Sequence, residues 1–192
     1  LLVYPTLLRI LAGVNPLTFL RKMREPMLVA FSTSSSGATL PVTLRTVEHR
    51  IGVNNNVASF AVPLGATINM DGTAIMQGVA TVFIAQFFGY QLGVDALLMV
   101  ILTATLASIG TAAVPGVGLI TLTLVLGQVG LPIEGIGLII GVDRLLDMLR
   151  TVVNVTGDGT VATIVANSEG QLDKETLRDP NAGAVAQVPS GT

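Results

Sequence analysis

Apolar residues run through this chain in long stretches that are broken at polar or glycine-containing points. Leu1 to Ala12 is a short apolar piece closed by Gly13-Val14-Asn15-Pro16. Ala58 to Tyr90 is apolar except at Asn69-Met70-Asp71-Gly72-Thr73. Leu97 to Leu126 is broken at Ser108-Ile109-Gly110-Thr111 and at Pro115-Gly116. Gly135 to Val165 carries charges in an otherwise greasy sequence and is loosened at Thr156-Gly157-Asp158-Gly159. A full bilayer span needs about 20 apolar residues. Two of these stretches are long enough for a span plus a break; the others read as paired half-helices or re-entrant hairpins. Such irregular backbone is tolerated at membrane depth only when buried in protein or lining a cavity.

The last stretch holds the most informative positions. Asp143, Asp147, Arg150, Asn154 and Asp158 follow one another at spacings of four, three, four and four. In a helix they share one face. Ionisable groups inside a membrane segment are costly and mark functional sites by default. Carboxylates, one Arg and an Asn amide on one face could hold a small zwitterion or a cation.

Composition agrees with a membrane setting: 51% hydrophobic, 11% charged and a mean hydropathy of +0.73. Soluble domains carry about 25% charged residues. The net charge of -2 offers no basic field for nucleic acid. With no Cys there is no disulfide, thiolate or Cys-metal chemistry, and the single His49 argues against a His-based metal site or triad. The opening at Leu1 reads as a cut through a spanning helix, so the chain is expected to be a fragment of a longer one.

A weak internal repeat is also present. Ser34-Ser35-Ser36-Gly37-Ala38-Thr39-Leu40-Pro41 precedes Asn69-Met70-Asp71-Gly72-Thr73, and Ser108-Ile109-Gly110-Thr111-Ala112-Ala113-Val114-Pro115 precedes Asn154-Val155-Thr156-Gly157-Asp158-Gly159-Thr160. A small-polar tip ending in Pro is followed twice by an expected helix break of the form Asn…Asp-Gly-Thr. Interrupted segments at matching places in two halves point to a transporter site. Arg9, Arg21, Lys22, Arg24, Arg45 and Arg50 flank the first Ser-rich tip, and Lys174 and Arg178 lie in the tail, whereas the linkers Gly89–Asp95 and Gly127–Gly135 have no Lys or Arg. The positive-inside rule puts the first hairpin's base and the tail in the cytoplasm.

These motifs carry a resemblance. Ser32 to Thr43, Gly65 to Thr73, Ser108 to Gly116 and Asp147 to Asp158 stand in the order found in the sodium-coupled glutamate/aspartate transporters, the dicarboxylate/amino acid:cation symporters. The chain resembles the C-terminal core of that family's transport domain. The resemblance implies an all-α integral membrane protein, an inverted-repeat transporter with two re-entrant helical hairpins and two broken or polar transmembrane helices. It places the end of a spanning helix at 1–12 and the inner hairpin at 13–53. An unwound helix follows at 54–92, the outer hairpin or gate at 93–130, a polar helix at 131–168 and a flexible cytoplasmic tail at 169–192. It implies a homotrimer held through an N-terminal scaffold outside this chain, a multi-pass place in the cell membrane, and elevator-type movement of the domain.

The resemblance also implies site roles. Arg150 would grip the substrate's side-chain carboxylate with its planar fork. Asp147 would accept from the ammonium, and Asn154 would donate to a carboxylate. Thr73 and Thr151 would add hydroxyls, and Ser35, Ser36, Val114 and Gly118 would contribute from the hairpin tips and outer gate. Sodium, a hard cation that prefers oxygen, is the implied coupling ion, with no other cofactor. One sodium site would use Gly65, Asn69, Asn154 and Asp158. A second would use backbone near Thr67, Ser108, Ile109 and Thr111, and a third Asn69 and Asp71 together with residues upstream of this chain. Met70 lies between them and could couple them, and Asp143, to which no ligand is assigned, could orient its neighbours.

Each feature also has a plainer meaning. Asp71-Gly72 is an ordinary hairpin-turn signal, the serines suit a loop or N-cap, and Asp147 with Arg150 one turn on could be a structural ion pair. The combination favours a carrier of aspartate or glutamate over a dicarboxylate or neutral amino acid carrier, an intramembrane enzyme using Asp143 and Asp147, or a channel. Some relatives carry a second Arg where this chain has Ser34 or Met148.

Overall fold

The computed structural model describes residues 2–183, and among them every regular element is helical. Helix α1 (Val3–Leu7) widens into a π turn, Leu8–Ala12, and stops at Gly13 in the left-handed region, φ 64°. Helix α2 (Pro16–Lys22) starts where its sequence dictates. The Asn15 side chain accepts from the Leu17 N–H, and Pro16 fills the first position, where an N–H would have no partner.

Two helix–turn–helix units follow the same logic. Helices α3 (Arg24–Thr33) and α4 (Ser36–Thr46) pack together around a two-residue tip, Ser34-Ser35, and α4 runs on through a π turn, Val47–Ile51. Ser34 takes the left-handed backbone, φ 52°, and Ser35 caps α4 by accepting from the Ala38 N–H. Helices α7 (Val94–Ser108) and α8 (Val117–Gln128) form the second unit, with Gly110 and Gly116 supplying positive φ within its longer tip. Between the units, α5 (Asn55–Ile68) and α6 (Asp71–Phe87) are interrupted at Asn69-Met70, where the sequence has its NMDGT motif.

Helix α9 (Ile136–Ser168) has 33 residues. At 1.5 Å per residue it is about 50 Å long, and it packs on α3, α4, α5, α6 and α8. The break expected near Thr156 to Gly159 is absent, because the helix is continuous there. The hydroxyls of Thr156, Thr160 and Thr163 return to carbonyls four residues back, so they add no competing backbone path. The glycines serve approach rather than bending. A Cβ on Gly159 would lie 2.7 Å from the Met23 methyl, and one on Gly157 would strike Asn69 and Tyr4.

The core is divided. One apolar cluster joins Phe19, Met23, Val47, Ile51 and Val62 to Val155, Ala162 and Ala166 of α9; another joins Met76, Ile84, Leu122, Leu126 and Leu131 to Ile139. The buried polar residues of α9, from Asp143 to Asp158, lie along the helix between Ile139 and Ala162. Much apolar surface faces outward, including Leu98, Ile101, Leu102 and Leu106 of α7 and Ile120 and Leu124 of α8. Patches on that scale mark contact with lipid or with other protein. Among the described residues no single helix is long and apolar enough to cross a membrane, while Val3–Ala12 and Pro16–Lys22, bent by 113°, pass that test together.

Part of the stretch read as a flexible tail is folded onto the first unit. Val53 pairs with Leu172, and α10 (Lys174–Arg178) lies against α2 and the 47–51 turn. Lys22, 3% exposed, donates to the carbonyls of Arg50, Thr176 and Asp179 at 2.6, 2.7 and 2.8 Å. All three ammonium protons are thereby used on helix C-terminal carbonyls, where a cation is favoured. Residues 184–192 lie outside the described residues.

Asp173 caps α10, accepting from the N–H of Glu175 and from the N–H and hydroxyl of Thr176. The Thr176 hydroxyl first, then the backbone donors, hold its carboxyl below the usual range. A depressed folded pKa stabilises above the unfolded value of about 3.9, and that contribution is lost as pH falls through the folded value. Exchange of the Glu175 and Thr176 amides is therefore expected to accelerate below about pH 4. The intrinsic exchange rate is corrected for, and unchanged protection at pH 3 would contradict the cap.

Candidate functional site

The five charged and amide residues of α9 share one buried face, none more than 9% exposed. Arg150 is held by Asp147 one turn earlier: Nε and Nη2 both reach Asp147 Oδ1, at 2.9 and 2.8 Å. Asp147 Oδ2 accepts from the Gly116 N–H at 2.7 Å, so this carboxylate also grips the tip of the second unit. Arg150 Nη1 is buried with no hydrogen-bond partner among the described residues. It lies over the start of α8 at Gly118, where any Cβ would overlap the guanidinium.

Asn154 bridges α9 to the interruption before α6. Its Oδ1 accepts from the Gly72 N–H at 2.8 Å, and its Nδ2 lies 3.2 Å from Met70 Sδ and 3.3 Å from Thr73 Oγ1. The approach is close because Gly72 has no side chain; a Cβ there would press on the Arg150 backbone. Thr151 returns its hydroxyl proton to the Asp147 carbonyl. Arg150, Asp147, Thr151, Asn154 and Thr73 surround one small recess with Ser34 and Ser36 from the first tip and Ala112 to Val114 from the second.

The two tips touch. Ser35 Oγ donates to the Ala113 carbonyl at 2.6 Å, and the Gly37 N–H reaches the same oxygen at 3.3 Å. Ser35, expected to contact substrate, thus ties tip to tip, while Ser36 lines the recess. Val114 lines it as well, with its side chain about half exposed.

A second polar cluster lies one turn further along α9. Asn69 Nδ2 donates to Asp158 Oδ1 at 3.0 Å and to the Asn154 carbonyl at 3.2 Å. Gly65 packs so closely that a Cβ would sit 2.7 Å from Asp158 Oδ1. Gly65, Asn69, Asn154 and Asp158 are therefore together. Asp71 accepts at Oδ2 from the Tyr4 hydroxyl at 2.7 Å. Thr67 and the second tip meet through its carbonyl, which accepts from the Gly110 N–H at 3.3 Å. Ser108 and Thr111 return their hydroxyls to Thr105 and Ala107, and the Ile109 side chain is exposed.

Sequence reasoning missed several contributors. Ser34 enters the recess because its backbone turns left-handed, and its Oγ is buried without a partner. Gly116 contributes through its N–H alone, and Ala113 through its carbonyl, so neither side chain carries a signal. Tyr4, the one hydroxyl-bearing aromatic before the first tip, was a visible but unused clue. Asp143 sits at the edge of the face with Oδ1 buried and unpartnered.

Comparison with known proteins supplies the family. An excitatory amino acid transporter of Caenorhabditis elegans is 49% identical over 160 residues, 83% of this chain and 32% of that protein. Excitatory amino acid transporter 3 of Mus musculus is 49% identical over 188 residues, 98% of this chain and 35% of that protein. Excitatory amino acid transporter 2 of Homo sapiens is 46% identical over 170 residues, 88% of this chain and 30% of that protein. The chain thus spans about a third of the length of these relatives. The sodium:dicarboxylate symporter family matches residues 1–168, from α1 through the end of α9, and this chain belongs to that family.

Proposed function

We propose that the chain is the substrate-binding part of a secondary active symporter that imports acidic amino acids, L-aspartate or L-glutamate, together with sodium. The family is one of transporters, not enzymes, so the Asp143–Asp147 pair has no acid–base reaction to perform. One observation carries the reading: a buried guanidinium, oriented by Asp147, keeps Nη1 without a partner among the described residues, and the same side chain lines a recess bounded by both helical tips. An uncommitted buried cationic donor calls for an anionic partner, and a fork suits a carboxylate. Asp147 next to it supports a ligand that also bears an ammonium, which an amino acid has and a simple dicarboxylate lacks.

In this reading Arg150 binds the side-chain carboxylate, Asp147 the ammonium, and Asn154 with Thr73 and Thr151 the remaining polar atoms. Ser36, Val114 and Gly118 close the walls. Sodium sits among Gly65, Asn69, Asn154 and Asp158, with a second ion near Thr67, Ser108, Ile109 and Thr111 and a third at Asp71. Asn154 belongs to both clusters, so an ion that orders it also orders the amide facing the substrate, which makes the two bind together. The two helix–turn–helix units act as re-entrant hairpins of an inverted repeat. Closure of the outer one precedes an elevator-type crossing. The domain runs as a trimer member in the cell membrane, with the C-terminal segment on the cytoplasmic side. The experiment is calorimetry of L-aspartate with the full-length protein in sodium and in choline. Tight binding in sodium only is expected, and Asp158→Asn should raise the sodium requirement about tenfold or more. Equal binding in both salts would end the sodium coupling.

A further inference from the structure

We propose that Tyr4 is a positioning residue for the cation site at Asp71, acting from the first helix through a single hydrogen bond. The inference rests on the sodium-coupled reading above. Tyr4 Oη donates to Asp71 Oδ2 at 2.7 Å, and no other described side chain hydrogen-bonds that carboxylate. Among the described residues the other carboxylate oxygen has no protein donor, which leaves it for a cation.

Three further observations place this bond inside the ion-binding region. Tyr4 Oη and Asn69 Nδ2 converge on the same bare backbone: a Cβ on Gly157 would lie 2.5 Å from the hydroxyl and closer still to the amide. Asn69 continues the chain of contacts to Asp158 and to the Asn154 carbonyl. Asp71 is also the first residue of α6, next to Gly72, whose N–H is held by Asn154. Tyr4 therefore touches the one carboxylate that would otherwise stand alone at the end of the helix interruption, while Asn69 links the other carboxylate to the substrate face.

The physical role follows. A carboxylate at a helix start can rotate among several rotamers and solvent-directed poses. A phenol that donates to one oxygen removes part of that freedom before the ion arrives, so less ordering is needed on binding. Phenol also cannot compete as a base, so it leaves the negative charge on Asp71 for the cation. Losing the bond costs cation affinity without touching the groups that hold the amino acid.

The test is sodium-dependent binding of L-aspartate by the full-length protein. Tyr4→Phe, which deletes one oxygen, is expected to raise the half-saturating sodium concentration about tenfold, as expected for a hydrogen bond to a charged group. Aspartate affinity at saturating sodium should stay within about twofold, a separation that a general folding defect does not produce. Tyr4→His, whose ring nitrogen falls well short of the phenol oxygen, should not recover the loss. In an Asp71→Asn background Tyr4→Phe should add little, because the two residues act as one unit. If Tyr4→Phe does not fold, Tyr4→Met, which is apolar and of similar reach, makes the same comparison. An unchanged sodium requirement in Tyr4→Phe, or full additivity with Asp71→Asn, overturns the role of Tyr4 while leaving the symporter intact. Sodium-independent binding by the unaltered protein overturns both.

Discussion

Replacement of Arg150 by alanine is expected to remove L-aspartate binding almost completely. Truncating one partner of a buried, hydrogen-bonded charge pair costs about 2–5 kcal/mol, roughly 30-fold to several thousand-fold in affinity. Here the loss has two sources. The ligand's carboxylate loses its fork, and Asp147 is left buried with only the Gly116 N–H and whatever ammonium arrives. Arg150→Lys should recover little, since a point charge cannot make the two Asp147 contacts and still present a planar edge. Loss should be graded by ligand: severe for aspartate and glutamate, small for neutral amino acids of similar size. Calorimetry with aspartate, glutamate, alanine and serine checks this, and an aspartate affinity within threefold of the unaltered protein would refute the assignment.

The second large effect is at Gly72. A Cβ there meets the Arg150 carbonyl oxygen and lies 2.9 and 3.0 Å from its Cα and carbonyl carbon. All three are backbone atoms, so no rotamer relieves the contact and α6 must move off α9. Overpacking of that kind costs about 1–3 kcal/mol. Disrupting the 2.8 Å bond from Gly72 N–H to Asn154 Oδ1 adds about 1 kcal/mol more. Gly72→Ala should therefore lower the unfolding temperature and weaken both sodium and aspartate binding by about tenfold or more, since Asn154 serves both. Gly78→Ala in the same helix, where a Cβ has nothing within 4 Å, is the control and should be neutral or slightly stabilising. If both variants bind and melt alike, the close approach of the two helices is not what assembles the site.

The parts of this site that could be seen in the sequence are those with a side-chain period. Spacings of three and four put Asp143 to Asp158 on one face before any coordinates, because helix geometry is fixed. Likewise Asn69 to Gly72, polar and glycine-bearing inside an apolar run, marked a true interruption. The same reasoning failed at Thr156 to Gly159. There the composition resembles a break, yet the threonines bond back along the helix and the glycines admit Tyr4, Asn69, Phe19 and Met23. Whether a glycine bends a helix or lets a neighbour in depends on what lies opposite, which no local pattern records. Ser34, Ala113 and Gly116 act through backbone direction, carbonyl and N–H, which side-chain identity does not encode. Lys22 looked like one of several cytoplasmic cations; only the fold brings three carbonyls to it.

The sharing of one carbonyl between the two tips has a mechanical outcome. Ser35 Oγ and Gly37 N–H both end on Ala113 O, so displacing that single peptide unit releases both bonds in one event. The contact is a two-pronged catch with a common pin, and moving the pin opens both prongs. Because the pin is a main-chain oxygen, exchanging the methyl of Ala113 for another small side chain leaves the catch in place. Its strength is set from the Ser35 side, and Ser35→Ala should leave the longer Gly37 bond as the sole tie.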